Sequence, residues 1–344
     1  MKPRSSDQIR FNRATLLVGI DIGGSATRIA VASGGGTILG VGRAAGAGFT
    51  EVSADESARR IRQAWLRACR AAGFSPQKPV DSLFAGFGSL AAPADEKIAR
   101  RCLHGARIRT RRIQVGHDTM NAYWGAQGGR AGIHVIAGTG SVVSAVDATG
   151  KIWRVGGWGP GIGDEGSAWW VACEGLKFLA DRTDRGLTSG RLGKKMLQAL
   201  GIKNSRQLLG VVFGGGMSRC EFAALAQPVI RQARNGDADA RQIIAQGAAA
   251  LGRQVATAAR LARLDSAMVT FSGGMFTHCP SLARQVVSAA CKEGVPVRHA
   301  RSMGSPLAGA LLLAGKQISA SALDHLACAQ RFLRKINQSL SKQL

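Results

Sequence analysis

Three short segments carry the residue types that phosphate, metal and sugar chemistry use. DIGGS at residues 21–25 places an acid before two glycines and a hydroxyl, and GTGS at 138–141 places a threonine between two glycines. A glycine-rich run at 156–166 holds Trp158 and Asp164. Glycine lets backbone N–H groups approach an anion closely, and carboxylates can hold Mg²⁺, often through water. Together the segments predict a site that holds a nucleotide beside a polar substrate.

Asp21 ends an apolar run that predicts a buried strand, and a second apolar run follows the turn. We predict that Asp21 holds Mg²⁺ through water and that Gly23, Gly24 and Ser25 contact phosphate oxygens. The segment is neither a Walker P-loop nor the dinucleotide motif G-x-G-x-x-G. An ordinary hairpin with a polar corner is the alternative.

Gly138, Thr139 and Gly140 stand between the apolar runs 133–137 and 142–146, which predict two buried strands. This hairpin repeats the layout of the first one roughly 120 residues later, a distance too long for a solenoid repeat. We therefore expect two homologous domains that grip a nucleotide between their loops. Two unrelated tight turns are the alternative.

Asp118 is the candidate general base. It follows the apolar run 113–115, and a carboxylate at a strand end can accept the proton of a hydroxyl that attacks phosphorus. The alternative is an N-cap, because 120–125 has a helical pattern and Asp caps helices well. His117 has no matching ligand set in the sequence, and we interpret it as structural.

The remaining pattern predicts an α/β protein whose second half is mostly helical. A helix is predicted over 54–72, closed by Gly73, and a strand over 82–87, with the loop 88–93 on the ligand side of the sheet. Further helices are predicted over 190–209, 221–234, 239–264, 280–291, 306–315 and 323–344, and further strands over 268–271 and 296–298.

Composition limits the classes of protein. The chain has 344 residues, of which 45% are hydrophobic, enough for two domains with sizeable cores. It contains no uncharged apolar run of about 18 residues, which argues against a membrane span. Seven scattered cysteines without a Cys-x-x-Cys pair argue against a zinc ribbon or a disulfide framework and favour the cytoplasm. Residues 1–13 are predicted to be a disordered basic leader.

The formal charge of +25 is high for an enzyme. The densest basic block, residues 97–112, holds seven Lys or Arg and no acid, and Arg107, Arg109 and Arg111 alternate within it, so a strand there would project them to one side. A nucleic-acid surface is one interpretation, but aromatic residues make up only 5% and no nucleic-acid-binding motif accompanies the charge. A solvated face is the preferred interpretation, and a positive field favours anionic ligands such as ATP.

The motifs together resemble the sugar-kinase/actin-like ATPase superfamily, and more narrowly the BadF/BadG/BcrA/BcrD-type ATPases, the branch that holds N-acetylglucosamine kinase and glucosamine kinase. The resemblance covers about residues 15–315. It is carried by DIGGSATR at 21–28, the strand end GHD at 116–118, AGTGS at 137–141, GWGPGIGDEGS at 157–167, RNGDADA at 234–240 and SGG at 272–274.

The resemblance implies an α/β fold of two ribonuclease-H-like (actin-like ATPase) domains with a nucleotide cleft between them. We expect domains over 14–118 and 119–319, with a helix at about 320–344 packed on the first. It also implies nucleotide contacts from one set of residues: Gly23, Gly24, Ser25, Gly138, Thr139 and Gly140 at the phosphates, Gly273 and Gly274 at the adenosine. Asp21 would hold Mg²⁺, Asp118 would deprotonate the sugar, and the sugar site would be lined by Gly157, Trp158 and Asp164.

Physical arguments leave alternatives for some of these residues. Asp164 can accept two vicinal hydroxyls, and Trp158 offers an apolar face to a pyranose ring, although core packing is the alternative for Trp158. Trp169 and Trp170, on the following helix, are expected in the core. For Gly273 and Gly274 the alternative is a plain strand-to-helix turn.

The expected activity is transfer of the γ-phosphoryl group of ATP to a hydroxyl of an amino sugar, N-acetylglucosamine or glucosamine. Sugar kinases of the branch often carry an Asn after the third strand, whereas GAGF stands at 46–49 here, so the sugar stays open. The paired cysteines of the branch's activator ATPases are missing, as is the clustered-Cys zinc motif of another branch. An activator ATPase, a non-catalytic sugar sensor and a nucleic-acid binder are the other classes. The expected partner is a small sugar, and a homodimer is left open.

Overall fold

The computed structural model describes residues 14–214, 216–318 and 326–340. The leader predicted over 1–13 lies outside the described residues, as do both ends of the predicted terminal helix. The described chain forms two compact units. Unit 1 contains the residues up to Arg130 and those from Ser302 onward, and unit 2 is Ala131–Arg301.

Each unit contains a five-stranded sheet, and both sheets have the same layout. The strands are β1 (Leu16–Ile22), β2 (Ala26–Ser33), β3 (Ile38–Ala45), β4 (Ser82–Phe87), β5 (Ile113–His117), β6 (Gly132–Ala137), β7 (Ser141–Val146), β8 (Ile152–Gly156), β9 (Ala267–Ser272) and β10 (Val297–His299). The order is β3-β2-β1-β4-β5 in unit 1 and β8-β7-β6-β9-β10 in unit 2. In each sheet the first three strands along the chain are antiparallel and the last two add in parallel. The predicted repetition of the two hairpins is confirmed.

Helices cover the sheets. They are α1 (Ala54–Ala72), α2 (Asp95–Gly105), α3 (Asp118–Gln127), α4 (Ala168–Asp184), α5 (Gly190–Leu200), α6 (Leu208–Phe213), α7 (Arg219–Ala224), α8 (Ala226–Arg234), α9 (Ala238–Leu261), α10 (Gly274–His278), α11 (Ser281–Lys292), α12 (Pro306–Lys316) and α13 (Leu326–Leu340). Among the described residues, no helix combines the length and apolar character needed to cross a membrane.

The sheet of unit 1 is buried on both faces. On one face α1 contributes the fully buried Ile61 and Trp65 to a cluster that includes Ile20 of β1. On the other face α12 lies close to the backbone of β1, because a Cβ added to Gly19 would be 2.8 Å from the amide nitrogen of Leu311. Glycine at position 19 therefore permits the close approach of α12 that fixes β1 in place.

The boundary between the units differs from the predicted one after residue 118. The helix α3 belongs to unit 1 because it packs tightly against α12, which lies in the same unit. A Cβ added to Gly125 would be 2.1 Å from the Ser305 carbonyl oxygen, and one added to Gly309 would be 2.0 Å from the Asn121 carbonyl oxygen. Because these two glycines have no side chains, the backbones of α3 and α12 can pack in direct contact. The helix α3 is therefore part of unit 1, and the boundary lies at Arg130.

The described part of the terminal helix, α13, packs in unit 1. Its Leu333 and Ile336 are fully buried, and they belong to the cluster that includes Leu17 of β1 and Leu311 of α12. The main-chain N–H of Ile38 donates to the Ser339 hydroxyl at 3.0 Å, which ties α13 to the start of β3.

Two predicted helices are interrupted. The helix predicted over 190–209 ends at Gly201, which takes φ +67° and whose N–H bonds back to Gln198 and Leu197. The helix predicted over 221–234 is divided at Leu225 into α7 and α8. A left-handed glycine is a common end of a helix, and here it overrides the apolar periodicity that continues beyond it.

The basic block at 97–112 is a helix followed by a loop. Its first half lies on α2, and no strand is present between α2 and β5 apart from an isolated bridge between Val80 and Thr110. Arg107 takes φ +56°, which breaks any extended run. The alternation of Arg107, Arg109 and Arg111 therefore does not correspond to a strand face.

Candidate functional site

The carboxyl ends of three strands meet at one edge of the unit 1 sheet. Because β1, β4 and β5 are parallel neighbours, Asp21 near the end of β1 lies close to Asp118, which follows β5. The Gly88 N–H, after β4, donates to the Ile22 carbonyl at 2.9 Å, and a Cβ added to Gly88 would be 2.8 Å from Asp118 Oδ2. The structure thus brings Asp21 and Asp118 together at this edge.

Asp21 is the residue at this sheet edge whose pKa is raised. Burial raises the pKa of its carboxyl group, and the negative charge of Asp118 raises it further. Hydrogen bonding by Asn121 and the charge of Arg28 act in the opposite direction. Asn121 Nδ2 lies 3.1 Å from Asp21 Oδ1, and Arg28 Nη1 lies 3.4 Å from Asp21 Oδ2. A bound cation would relieve the cost of keeping this carboxyl ionised.

Asp118 is the first residue of α3, and its side chain is 32% exposed. The N-cap is His117, whose Nδ1 accepts from the Thr119 N–H at 3.2 Å. The same Nδ1 lies 2.9 Å from Asp118 Oδ1 and 3.0 Å from Thr119 Oγ1, so His117 contacts both residues at the start of the helix. The N-cap is therefore His117 and not Asp118, and His117 has the structural role expected of it.

The predicted phosphate turn of unit 1 is a tight hairpin corner. The Gly23 N–H donates to the Ala26 carbonyl at 3.0 Å, and Gly24 and Ser25 are exposed. A Cβ added to Gly24 would be 2.4 Å from Glu51 Oε1. A second carboxylate, which the sequence did not single out, therefore lies over this turn.

In unit 2 the two glycine segments lie side by side. The Gly138 N–H donates to the Gly140 carbonyl at 2.9 Å and closes the turn after β6. Gly273, at the end of the parallel neighbour β9, takes φ +104°, and a Cβ there would be 2.2 Å from the Ala137 carbonyl oxygen. Glycine is required at 273 both by this backbone angle and by the close contact. The predicted phosphate and adenosine segments share one edge of the unit 2 sheet.

Asp164 lies against the same turn. It is 2% exposed and takes φ +63°, an uncommon angle for a residue with a side chain. Its Oδ2 is 3.2 Å from Arg219 Nη2, and a Cβ added to Gly140 would be 2.6 Å from that oxygen. The next residue, Glu165, accepts from Gln254 Nε2 at 2.9 Å and is thereby held by α9.

Trp158 is exposed. Its relative exposure is 75%, and Ile162 on the same glycine-rich loop is 80% exposed. Gly157, which precedes Trp158, takes φ +70°. Core packing of Trp158 is therefore excluded, and the ring is available to a ligand. Trp169 and Trp170 pack against the hydrophobic core of unit 2, as predicted.

His134 is a buried titratable residue that the sequence analysis missed. On β6, it is 1% exposed, with Nδ1 2.8 Å from Thr270 Oγ1 and Nε2 2.9 Å from Ser272 Oγ. Burial lowers the pKa of its imidazole to about 4. The neutral ring ties the end of β9, next to Gly273, to β6.

The donor set of unit 1 fits Mg²⁺. Among the described residues, no group of three or more His, Cys, Asp or Glu side chains forms a cage for a metal ion. Mg²⁺ often takes one or two carboxylates, completes its shell with water and phosphate oxygens, and needs no such cage. Asp21, a carboxyl group whose pKa is raised by burial, is the residue that would hold it, through water.

Comparison with known proteins gives the family. The sequence profile of the BadF/BadG/BcrA/BcrD ATPase family matches residues 18–314. The chain belongs to this family. A N-acetylmuramic acid/N-acetylglucosamine kinase of Clostridium acetobutylicum is 28% identical over 169 residues, which is 48% of this chain and 55% of that kinase. A N-acetyl-D-glucosamine kinase of Dictyostelium discoideum is 29% identical over 128 residues, covering 37% and 40% of the two chains. The matches thus span about half the length of these curated relatives.

Solved structures show the fold. A candidate N-acetylglucosamine kinase of Chromobacterium violaceum superposes with a TM-score of 0.70 at 24% identity, over 88% of this chain and 99% of that one. The predicted α/β fold built from two actin-like ATPase domains is confirmed. The nucleotide cleft between the domains stays a prediction, as do the roles of individual residues of this family member.

The structure groups the predicted site residues into two sets, one in each unit. Unit 1 holds Asp21, Gly23, Gly24, Ser25 and Asp118, and unit 2 holds Gly138, Thr139, Gly140, Gly157, Trp158, Asp164, Gly273 and Gly274. The residues that sequence reasoning missed are Asn121, Glu51, Arg219 and His134. Each of these residues contacts a residue that is distant in sequence, and none of them belongs to a motif. Only the position of Asn121, three residues after Asp118 on a helix, offered a signal.

Proposed function

We propose that the protein is an ATP-dependent kinase that transfers the γ-phosphoryl group to a hydroxyl of an amino sugar, with N-acetylglucosamine as the first candidate. Family membership and the names of the two relatives support an amino-sugar kinase. The observation that carries the proposal is the convergence of Asp21 and Asp118 at one sheet edge. One carboxyl group there is 14% exposed and lies beside a second that is 32% exposed and open to a substrate hydroxyl.

Asp118 is the general base of the proposed reaction. Its carboxylate accepts the proton of the sugar hydroxyl as that oxygen attacks the γ-phosphorus. His117 Nδ1 lies 2.9 Å from Oδ1, and Gly88 leaves room beside Oδ2, the oxygen that would take the proton. Asp21 would hold Mg²⁺ through water, and the ion, when bound, neutralises charge on the phosphate oxygens.

The segments of unit 2 supply the remaining contacts. The turn Gly138-Thr139-Gly140 binds phosphate oxygens, Gly273 lets the end of β9 close against that turn, and Gly274 leaves space for the adenosine. The exposed ring of Trp158 packs on the pyranose, beside Gly157, while Asp164 accepts hydrogen bonds from sugar hydroxyls. Carbohydrate recognition by one apolar face and one buried carboxylate is consistent with a small polar substrate.

A coupled assay of ADP release by the full chain tests the proposed function. The panel contains N-acetylglucosamine, glucosamine, N-acetylmuramic acid, glucose and no sugar, each with and without Mg²⁺. We expect ADP release only with Mg²⁺ and an amino sugar. ADP release that does not depend on any sugar would contradict the kinase proposal and favour an activator ATPase. Sugar binding without ADP release would favour a sugar sensor.

The identity of the sugar and the cellular location are further parts of this proposal. The segment 46–49 lacks the Asn that is common in the branch, so the panel decides between acetylated and free amino sugars. The Gly48 carbonyl instead accepts from the N–H groups of Glu51 and Val52, at 3.0 and 3.1 Å, and forms a backbone turn. The scattered cysteines favour the cytoplasm. The expectation that nucleic acid is not a partner stays untested, and a homodimer is left open.

A further inference from the structure

Arg219 is a cation at the unit 2 turn that no motif indicates. It is the first residue of α7, and its guanidinium group reaches the turn after β6, since Arg219 Nη2 would be 3.0 Å from a Cβ added to Gly140. The backbone of this helix start is fixed by a capping box. Glu221 N–H donates to Ser218 Oγ at 3.3 Å, and Ser218 N–H donates to Glu221 Oε2 at 2.8 Å. Because Glu221 is engaged in the cap, its carboxylate does not draw Arg219 away from the turn.

The position of Asp164 makes a cation necessary at this turn. Its carboxylate is 3% exposed and lies against Gly140, where a phosphate group would approach. Two anions in a poorly solvated corner repel each other, and the repulsion weakens binding unless a positive charge lies between or beside them. Arg219 Nη2, 3.2 Å from Asp164 Oδ2, supplies that charge.

The Arg219 guanidinium has donors left for a second anion. It carries five N–H donors in a planar fork, Asp164 accepts from one of its nitrogens, and the side chain is 46% exposed. Two other charged side chains of this region are already engaged. Glu165 accepts from Gln254, and Arg154 donates to the Gly157 carbonyl on the glycine-rich loop.

We propose that Arg219 binds the phosphate groups of the nucleotide at the Gly138–Gly140 turn and neutralises Asp164 there. The assignment rests on the proposed function, because it requires a nucleotide at this turn. A planar guanidinium suits phosphate oxygens, and its hydrogen bonds to an ionised acceptor are stronger than those of a neutral donor. Arg219 is thus a phosphate-binding residue, in addition to the backbone amides of the turn.

Nucleotide binding without sugar tests this assignment. The dissociation constants of ATP, ADP and adenosine are measured by calorimetry for the wild type, Arg219→Gln and Arg219→Lys, each in Mg²⁺. We expect Arg219→Gln to weaken ATP about tenfold or more and to leave adenosine unchanged, because it removes a charge-assisted hydrogen bond and exposes the phosphate to Asp164. Arg219→Lys keeps the charge but loses the fork, so its affinity for ATP should lie between the other two.

A matched control comes from another arginine of unit 2. Arg185 also pairs with an aspartate, Asp181, at 3.4 Å, but on the exposed surface of α4, so Arg185→Gln should bind ATP like the wild type. Suppose that the wild type and Arg219→Gln bind ATP equally well and that only the sugar KM rises in the variant. Arg219 then merely orients Asp164, so its assignment to phosphate is overturned while the proposed function stands. Failure of the wild type to bind ATP would overturn the proposed function and this assignment with it.

Discussion

The side-chain amide of Asn121 donates to Asp21, with Nδ2 3.1 Å from Oδ1. The same Nδ2 donates to the Ile20 carbonyl, also at 3.1 Å, so α3 is tied to the end of β1 at two points. Asn121 lies three residues after Asp118, and Asp118 opens the same helix. One helix therefore carries the proposed base and holds the proposed metal-binding carboxylate, which fixes their separation.

Asn121→Leu should weaken the use of Mg²⁺ by the enzyme. Asn121 lowers the pKa of Asp21, so its loss lets burial and Asp118 raise that pKa further and disfavours the ionised form that holds the cation. We expect the Mg²⁺ concentration for half-maximal rate to rise several-fold and the free energy of unfolding to fall by about 1–3 kcal/mol. Asn204→Leu is the control. Asn204 caps a short helix of unit 2, and the variant should lose stability without a change in Mg²⁺ dependence.

Gly86→Ala should disturb the same contact from the opposite side. A Cβ at position 86, on β4, would be 2.3 Å from Asn121 Nδ2, and the surrounding residues are buried. Displacement of Asn121 in a packed interior should cost about 1–3 kcal/mol and lower the rate of phosphoryl transfer. The melting temperature and the rate are both measured. Gly210→Ala on α6, where an added Cβ meets nothing within 4 Å, should lower neither, and a Gly86→Ala protein that matches the wild type would contradict the role given to Asn121.

His134→Gln should make the free energy of unfolding less dependent on pH between 7 and 4. The pKa of His134 is lowered from 6.5 to about 4 in the folded chain, so between these values the unfolded chain binds a proton that the folded chain does not. The folded state is fully favoured above pH 6.5 and loses stability as pH falls toward 4, by about 3 kcal/mol for this group. Urea unfolding of both proteins from pH 7 to pH 4 measures the difference. A gap between the two stabilities that does not change with pH would contradict a neutral buried His134.

Asp164→Ala should raise the sugar KM. Asp164 is buried at the unit 2 turn, and it is the residue proposed to accept hydrogen bonds from sugar hydroxyls. Loss of such bonds to a charged acceptor should raise the sugar KM about tenfold or more. Asp147→Ala, which removes the carboxylate that orders the β7–β8 turn, is the matched control and should leave the sugar KM unchanged. An unchanged sugar KM in Asp164→Ala would move the sugar site elsewhere.

Much of the fold could be predicted from local pattern. Apolar runs bounded by glycine turns located β1, β4, β6 and β9 to within one or two residues, and Gly73 closed α1 as predicted. The errors arose where one residue outweighed periodicity. Gly201 ended a helix whose apolar spacing continued. The alternating arginines after α2, for which no strand was predicted, form none, because Arg107 is left-handed. The assignment of α3 to unit 1 depends on its packing against α12, which no local pattern contains.

The candidate site was predictable where chemistry lies in a motif. Asp21 and Asp118 were identified by their positions after apolar strands, and the parallel sheet then placed them at one edge. Asn121 could not be identified in this way, because its role depends on the contact of α3 with a strand 100 residues earlier. Arg219 follows a loop and shares no motif with Asp164, 55 residues before it, so only the fold reveals their pairing.

The central claim is that Asp118 takes the proton of the sugar hydroxyl. The most direct test measures, for Asp118→Asn, both ATP binding by calorimetry and transfer of the γ-phosphoryl group to N-acetylglucosamine or to the best sugar of the panel. Asp55→Asn, a change of an acid that is 90% exposed on α1, serves as the control. The account predicts that Asp118→Asn binds ATP like the wild type and transfers phosphate at least about a hundredfold more slowly, the usual range for loss of a general base. Turnover at the wild-type rate would contradict it.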